Sequence, residues 1–125
     1  MRKTGAYDIA IVGGGPVGAA LALALQDSGF SIVLLEAKPE FAARDPRALA
    51  LSQGTRLVLE RLGTWPALAD RATAIESIHV SQRGGLGRAE LRAIELGVPA
   101  LGYAAEDGDL YHSLAAALPT AGTRL

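Results

Sequence analysis

Gly13, Gly15 and Gly18 stand at the spacing G-x-G-x-x-G, and an acid, Glu36, closes the next apolar run of the chain. Glycines so placed can do one kind of chemistry well, which is to hold a pyrophosphate. Gly13 permits a tight turn out of a strand. Gly15 has no side chain to keep a phosphate from the start of a helix, where unpaired backbone N–H groups and the positive end of the dipole favour an anion. Gly18 lets that helix lie close to the sheet, and Ala22, four residues on, falls on the same face. Pro16 and Val17, within the loop, and Ala37, beside the acid, complete the candidate cofactor-binding set with Gly13, Gly15, Gly18 and Glu36.

A carboxylate at the end of the second strand can accept hydrogen bonds from both hydroxyls of an adenosine ribose, and its charge repels a ribose 2′-phosphate. Glu36 therefore disfavours NADP as the ligand of this loop. FAD and NAD both carry a free 2′-hydroxyl on their AMP half, so the loop and its acid do not separate them.

Other chemistry-bearing residues are poorly placed. His79 lies in an alternating segment and His112 in a late helical one, with no cysteine and no carboxylate at ligand spacing, so both are expected to be structural or at the surface and no metal site is assigned. Trp65 is read as a packing anchor. Arg83, Arg88 and Arg92, interleaved with glycines, are read as exposed arginines of a hairpin, with anionic lipid or an acidic partner as the sharper alternative.

The glycine loop needs particular elements on either side of it. Tyr7 to Val12 is a β-branched run expected to form a strand buried on both faces, and Val17 to Ser28 is an Ala- and Leu-rich helix with Gly29 at its end. Ser31 to Glu36, SIVLLE, is the parallel partner strand, so residues 1–36 make a βαβ unit. Residues 37–71 are expected to be a polar loop framed by Pro39 and Pro46, then a helix capped by Ser52 and stopped at Gly63, then a helical turn from Trp65 to Arg71. Residues 75–94 alternate around Gly84-Gly85 as an antiparallel hairpin, and 109–118 form a last helix in which Asp107 and Asp109 offset the dipole at its start. Thr123, Arg124 and Leu125 read as the beginning of a further strand. The fold class is thus α/β, a Rossmann-type βαβ unit followed by helices and an antiparallel hairpin.

Composition limits what this fold can serve. The chain has 125 residues, half of them hydrophobic and a fifth charged, enough for one core and too few for two ordinary domains. A net charge of −1 gives no basic field for nucleic acid. The absence of cysteine excludes disulfides and suits a reducing compartment, so a cytoplasmic location is expected. The apolar stretch from Ile9 to Leu25 is interrupted by four glycines and a proline, so it is read as a strand and helix and not as a membrane span.

DIAIVGGGPVGAALALAL, SIVLLEA and DPRALALSQGTRLVLERLG together resemble the N-terminal third of class A flavoprotein monooxygenases, in particular the ubiquinone-biosynthesis branch of the 2-octaprenyl-6-methoxyphenol hydroxylase type. The similarity continues through IHVSQRG and LGYAAEDGDLYHSLAAAL, so it covers nearly the whole chain. The Arg-Ala-x-x-Leu segment is its most specific part. The resemblance implies that Arg47 reaches towards the FAD pyrophosphate and ribityl region, with Arg44 the weaker candidate, and it moves the expected ligand from NAD to FAD. A guanidinium suits that place, offering a planar donor fork to phosphate oxygens.

The family's chemistry implies reduction of FAD by NADPH as a transient co-substrate and oxygen-dependent hydroxylation of an activated aromatic ring, the cofactor carrying the reaction. A small aromatic or prenylated phenol is the implied substrate, with association at the inner membrane or in a biosynthetic complex. No catalytic residue is assigned. Where the family places a further flavin-contacting residue this chain has Glu106, Asp107, Gly108 and Asp109, acids that do not favour a phosphate, so no cofactor contact is carried onto them. Family members are about three times as long, and their Gly-Asp flavin motif falls past Leu125. The expectation is therefore an FAD-binding N-terminal portion, inactive alone. The alternatives are a non-catalytic FAD- or NAD-binding module, and an NAD-dependent dehydrogenase domain, against which the hairpin counts because such a domain continues with βα units.

Overall fold

A computed structural model describes residues 6–37 and 46–119. Lys38, Glu40, Arg44 and Asp45 of the expected polar loop, and the expected strand at Thr123 to Leu125, lie outside the described residues.

The chain begins with strand β1 (Ile9–Val12), helix α1 (Pro16–Ala24) and strand β2 (Ile32–Leu35). The strands pair in parallel, Ile9 opposite Ile32 through Val12 opposite Leu35. This is the βαβ unit that the apolar periods require. Two differences from expectation have plain causes. The strand is not buried on both faces: Ile11 and Val33 are inside while Val12 is 83% exposed, because the sheet has only these two strands among the described residues and α1 covers one side. The helix ends at Ala24 with Leu25 as its cap, not at Ser28, and Gly29, with φ of 80°, turns the chain out of the short connection that follows.

A reciprocal clamp fastens the open end of this pair. The Asp8 carboxylate accepts from the Ser31 N–H at 2.8 Å and from the Ser31 hydroxyl at 2.7 Å, while the Asp8 N–H donates to Ser31 O at 2.9 Å. These donors, the Ser31 N–H first and its hydroxyl second, hold the Asp8 carboxyl below the ordinary carboxylate range.

The Arg-Ala-x-x-Leu segment, expected within a stretch of loop and helices, is strand β3 (Ala48–Ser52). It pairs antiparallel with β7 (Gly102–Glu106), which also holds β4 (Thr73–Ile75), giving the order β3-β7-β4. Neither β3 nor β7 stood out in the sequence, since ALALS and GYAAE are rich in alanine and their pairing joins distant residues, Ala48 with Glu106. Ser52 ends β3 and caps helix α2 (Gln53–Arg61), its hydroxyl accepting from the Thr55 N–H at 3.1 Å. Such a cap is worth about 1 kcal/mol. The buried Thr64 hydroxyl donates to Leu59 O at 3.2 Å and seals the far end before α3 (Trp65–Ala69).

The hairpin is formed by β5 (Ser77–Ser81) and β6 (Arg88–Arg92), antiparallel, both strands exposed throughout. Its bounds are narrower than residues 75–94: Ile75 belongs to β4, and Ile94 lies in a 3-10 turn, Ala93–Leu96. Helix α4 (Asp107–Ala117) starts two residues before the expected Asp109. Leu110 and Leu114 of α4 meet Ala19 and Leu23 of α1, Leu51, Leu59, Trp65, Leu68 and Ala105 in one core. Trp65 sits in it edge-on to Tyr103, ring centroids 4.8 Å apart.

Because the folded Asp8 carboxyl is more acidic than the ordinary Asp value near 3.8, its contribution to stability is present above that value and is lost as pH falls through the lowered one. Urea midpoints of the wild type and Asp8→Asn are expected to differ above about pH 5 and to draw together as pH falls below the ordinary carboxylate value. A gap that stays constant with pH would overturn this role.

Candidate functional site: the glycine loop

The loop leaves β1 through Gly13, whose φ of 99° admits glycine and few other residues. Its first two amides are tied to the end of β2. The Gly13 N–H donates to Leu35 O at 2.8 Å, and the Gly14 N–H donates to Glu36 Oε2 at 2.8 Å. Gly15 is the N-cap of α1, Pro16 follows in its first turn, and the Ala19 N–H donates to Gly15 O at 2.9 Å. In an α-helix begun this way the Val17 and Gly18 N–H groups have no carbonyl partner within the helix, and proline has no N–H to spare.

Each glycine's task can be read from what a Cβ would meet. At Gly18 it would lie 1.9 Å from Gly13 O, a distance no real atom pair tolerates, so the helix start is pressed against the turn itself. At Gly15 it would meet nothing within 4 Å, so the space before the helix start is open. These two glycines therefore do opposite things: one closes a contact in the fold, the other keeps a place clear.

Beside the loop a cleft of about 310 Å³ is lined by Val12, Gly13, Leu35, Glu36 and Ala37. Its apolar walls and single carboxylate suit a flat ring attached to a sugar. Glu36, Ala37 and the glycines are thus brought to one place, while Val17 is 84% exposed on the first turn of α1. Burial and, second, the Glu36 carboxylate raise the Tyr111 phenol above its ordinary range, which puts α4 within the field of that acid.

Arg47 stands immediately before β3. Its guanidinium meets the Asp107 carboxylate at 3.3 Å, and the Asp107 N–H donates to Arg47 O at 2.9 Å. The acidic stretch 106–109, expected to offset the dipole of the last helix and to make no cofactor contact, therefore also holds, through Asp107, the arginine expected to reach a phosphate. No signal in the sequence joins residues so far apart; the link follows from the register of β3 on β7.

His79 is exposed on β5, and His112 is exposed with its Nδ1 2.6 Å from Gly108 O. Among the described residues no group of three or more His, Asp or Glu can hold a metal, and no helix is long and apolar enough to cross a membrane.

A family model described as an FAD binding domain matches residues 6–119. The 3-demethoxyubiquinol 3-hydroxylase of Escherichia coli is 38% identical over an alignment 117 residues long that covers 89% of this chain and 30% of that protein. Among solved structures, the anhydrotetracycline hydroxylase OxyS of Streptomyces rimosus superposes with a TM-score of 0.72 at 23% identity, over 94% of this chain and 24% of that one. The flavin-dependent monooxygenase PieE, solved with FAD and substrate, gives a TM-score of 0.66 at 24% identity, over 89% of this chain and 21% of that one. These two likenesses concern the fold. The chain spans less than a third of the length of the curated relatives it matches over most of its own residues.

The contrast between the two glycines makes a direct test. Gly18→Ala is expected to lower stability by about 2 kcal/mol or more, since backbone must move to admit the methyl group. Gly15→Ala, at ordinary negative φ and facing open space, is expected to cost only the difference between glycine and alanine at an N-cap, about 1 kcal/mol or less. Equal losses in urea denaturation would sink the distinction.

Proposed function

The chain belongs to the FAD binding domain family, whose named members include flavin-dependent monooxygenases and ubiquinone hydroxylases, and from that membership we propose that it holds the ADP half of FAD for the hydroxylation of a small aromatic substrate. One observation carries the assignment of the place: the helix start at Gly15 faces open space, and the carboxylate of Glu36 sits on the adjoining amide. Residues and cofactor fit. The Val17 and Gly18 N–H groups would receive a pyrophosphate at the helix dipole, Glu36 a ribose, and the cleft along Val12, Leu35 and Ala37 an adenine. Arg47, steadied by Asp107, would add a guanidinium on the phosphate side.

Bound FAD supplies the redox chemistry of such a reaction; these residues bind and orient it. The wider protein's activity is proposed to be NAD(P)H- and oxygen-dependent ring hydroxylation of the ubiquinone type, supported by the 38% identity to the Escherichia coli hydroxylase. By themselves the 125 residues are proposed to hold the nucleotide without hydroxylating, since they correspond to a quarter to a third of the relatives' length.

Titration of the chain with FAD, followed by flavin fluorescence and by thermal stability, is expected to show binding, and NAD is expected to stabilise it less. Stabilisation by NAD without any by FAD would overturn the flavin reading. Gly15→Val is expected to weaken FAD binding at least about 100-fold while the unfolding midpoint moves little, because the side chain fills the phosphate's place and not the core. Unchanged affinity in that variant would remove Gly15 from the site.

A further inference from the structure

Resting on the nucleotide reading above, we propose that Glu36 is a positioning residue for the phosphate loop as well as a ribose acceptor: its carboxylate pins the loop in its receiving shape. Glu36 Oε2 accepts from the Gly14 N–H at 2.8 Å. Gly14 is buried and its bond to the acid part-buried, and a hydrogen bond from an amide to a carboxylate is stronger than one between neutral groups. The neighbouring Gly13 amide is already committed to Leu35 O. Two successive amides of the loop are thereby anchored to the end of β2, one by backbone and one by the acid.

This has a chemical consequence. Successive N–H groups in a glycine turn can all aim at one anion. Here the first two are drawn towards β2, so the pyrophosphate is left to the amides from Gly15 onward, at the helix dipole. The acid therefore chooses which amides meet the phosphate, although its own charge opposes phosphate.

The experiment compares Glu36→Gln with Glu36→Ala. Both remove the charge, and only glutamine keeps an acceptor for the Gly14 N–H. Amide exchange read by NMR in the ligand-free chain is expected to be at least about tenfold faster at Gly14 in the alanine variant than in the glutamine variant, with Gly13 nearly unchanged. Inorganic pyrophosphate, which has no ribose, is expected to bind the glutamine variant about threefold or more tighter than the alanine variant. Equal Gly14 exchange, or equal pyrophosphate affinity, in the two variants overturns the positioning role and leaves Glu36 with the ribose alone. Should Glu36→Ala loosen β1 and β2 as a whole, the glutamine variant decides against the wild type: Gly14 protection kept within a few-fold supports the role, and its loss overturns it. If the wild type binds neither FAD nor ADP, the nucleotide reading falls instead, and the Gly14 comparison still separates a pinned loop from an unpinned one.

Discussion

The approach of Gly18 to the carbonyl of Gly13 sets the geometry on which the functional end of this molecule depends. A Cβ at Gly18 would come within 1.9 Å of that oxygen, so the contact exists only because the residue has none. It brings the first turn of α1 back against the strand that precedes it. The loop is thereby confined to few residues, and the amides at the helix start open in front of Gly15 beside the end of β2. Glu36 then needs only the length of its own side chain to reach Gly14. Loosen the Gly18 contact and each of these positions moves together.

The remaining elements hold that unit from behind. Ala19 and Leu23 on α1 are buried against Leu110 and Leu114 of α4, and α4 is continuous with β7, the centre of the three-stranded sheet. The sheet carries Arg47 to the start of α4, where Asp107 receives it by side chain and backbone. Arg56 lies 5.6 Å from the Trp65 ring centroid and 5.9 Å from that of Tyr103, closing the outer side of the same core. Arg47 and Asp107 thus meet through packing and not through sequence neighbourhood.

That division explains what could be read from residues alone. The βαβ unit, the cap at Ser52, the stop at Gly63 and the hairpin all rest on local periods and turn chemistry, which a sequence displays. β3 and β7 rest on pairing between positions fifty or more residues apart, and the two alanines in each speak for helix as readily as for strand. The same distance hid Asp107: an acid beside a proposed phosphate site reads as unfavourable until the arginine it holds is in view. An apolar β-branched run does not tell how many strands will flank it, and β1 is buried on one face and not on both.

The hairpin of β5 and β6 carries a different consequence. Ile78 faces Leu91 and Val80 faces Ala89 across it, while all ten of its strand residues are exposed and its outer edges carry no further strand among the described residues. Such a ribbon keeps its register through its own cross-strand bonds, with little burial to reinforce them. Its opening free energy should lie at the low end of the molecule, far below that of the core around Leu68 and Leu114. Edges of this kind, with no further strand beside them among the described residues, are where a strand of another chain would add to the ribbon.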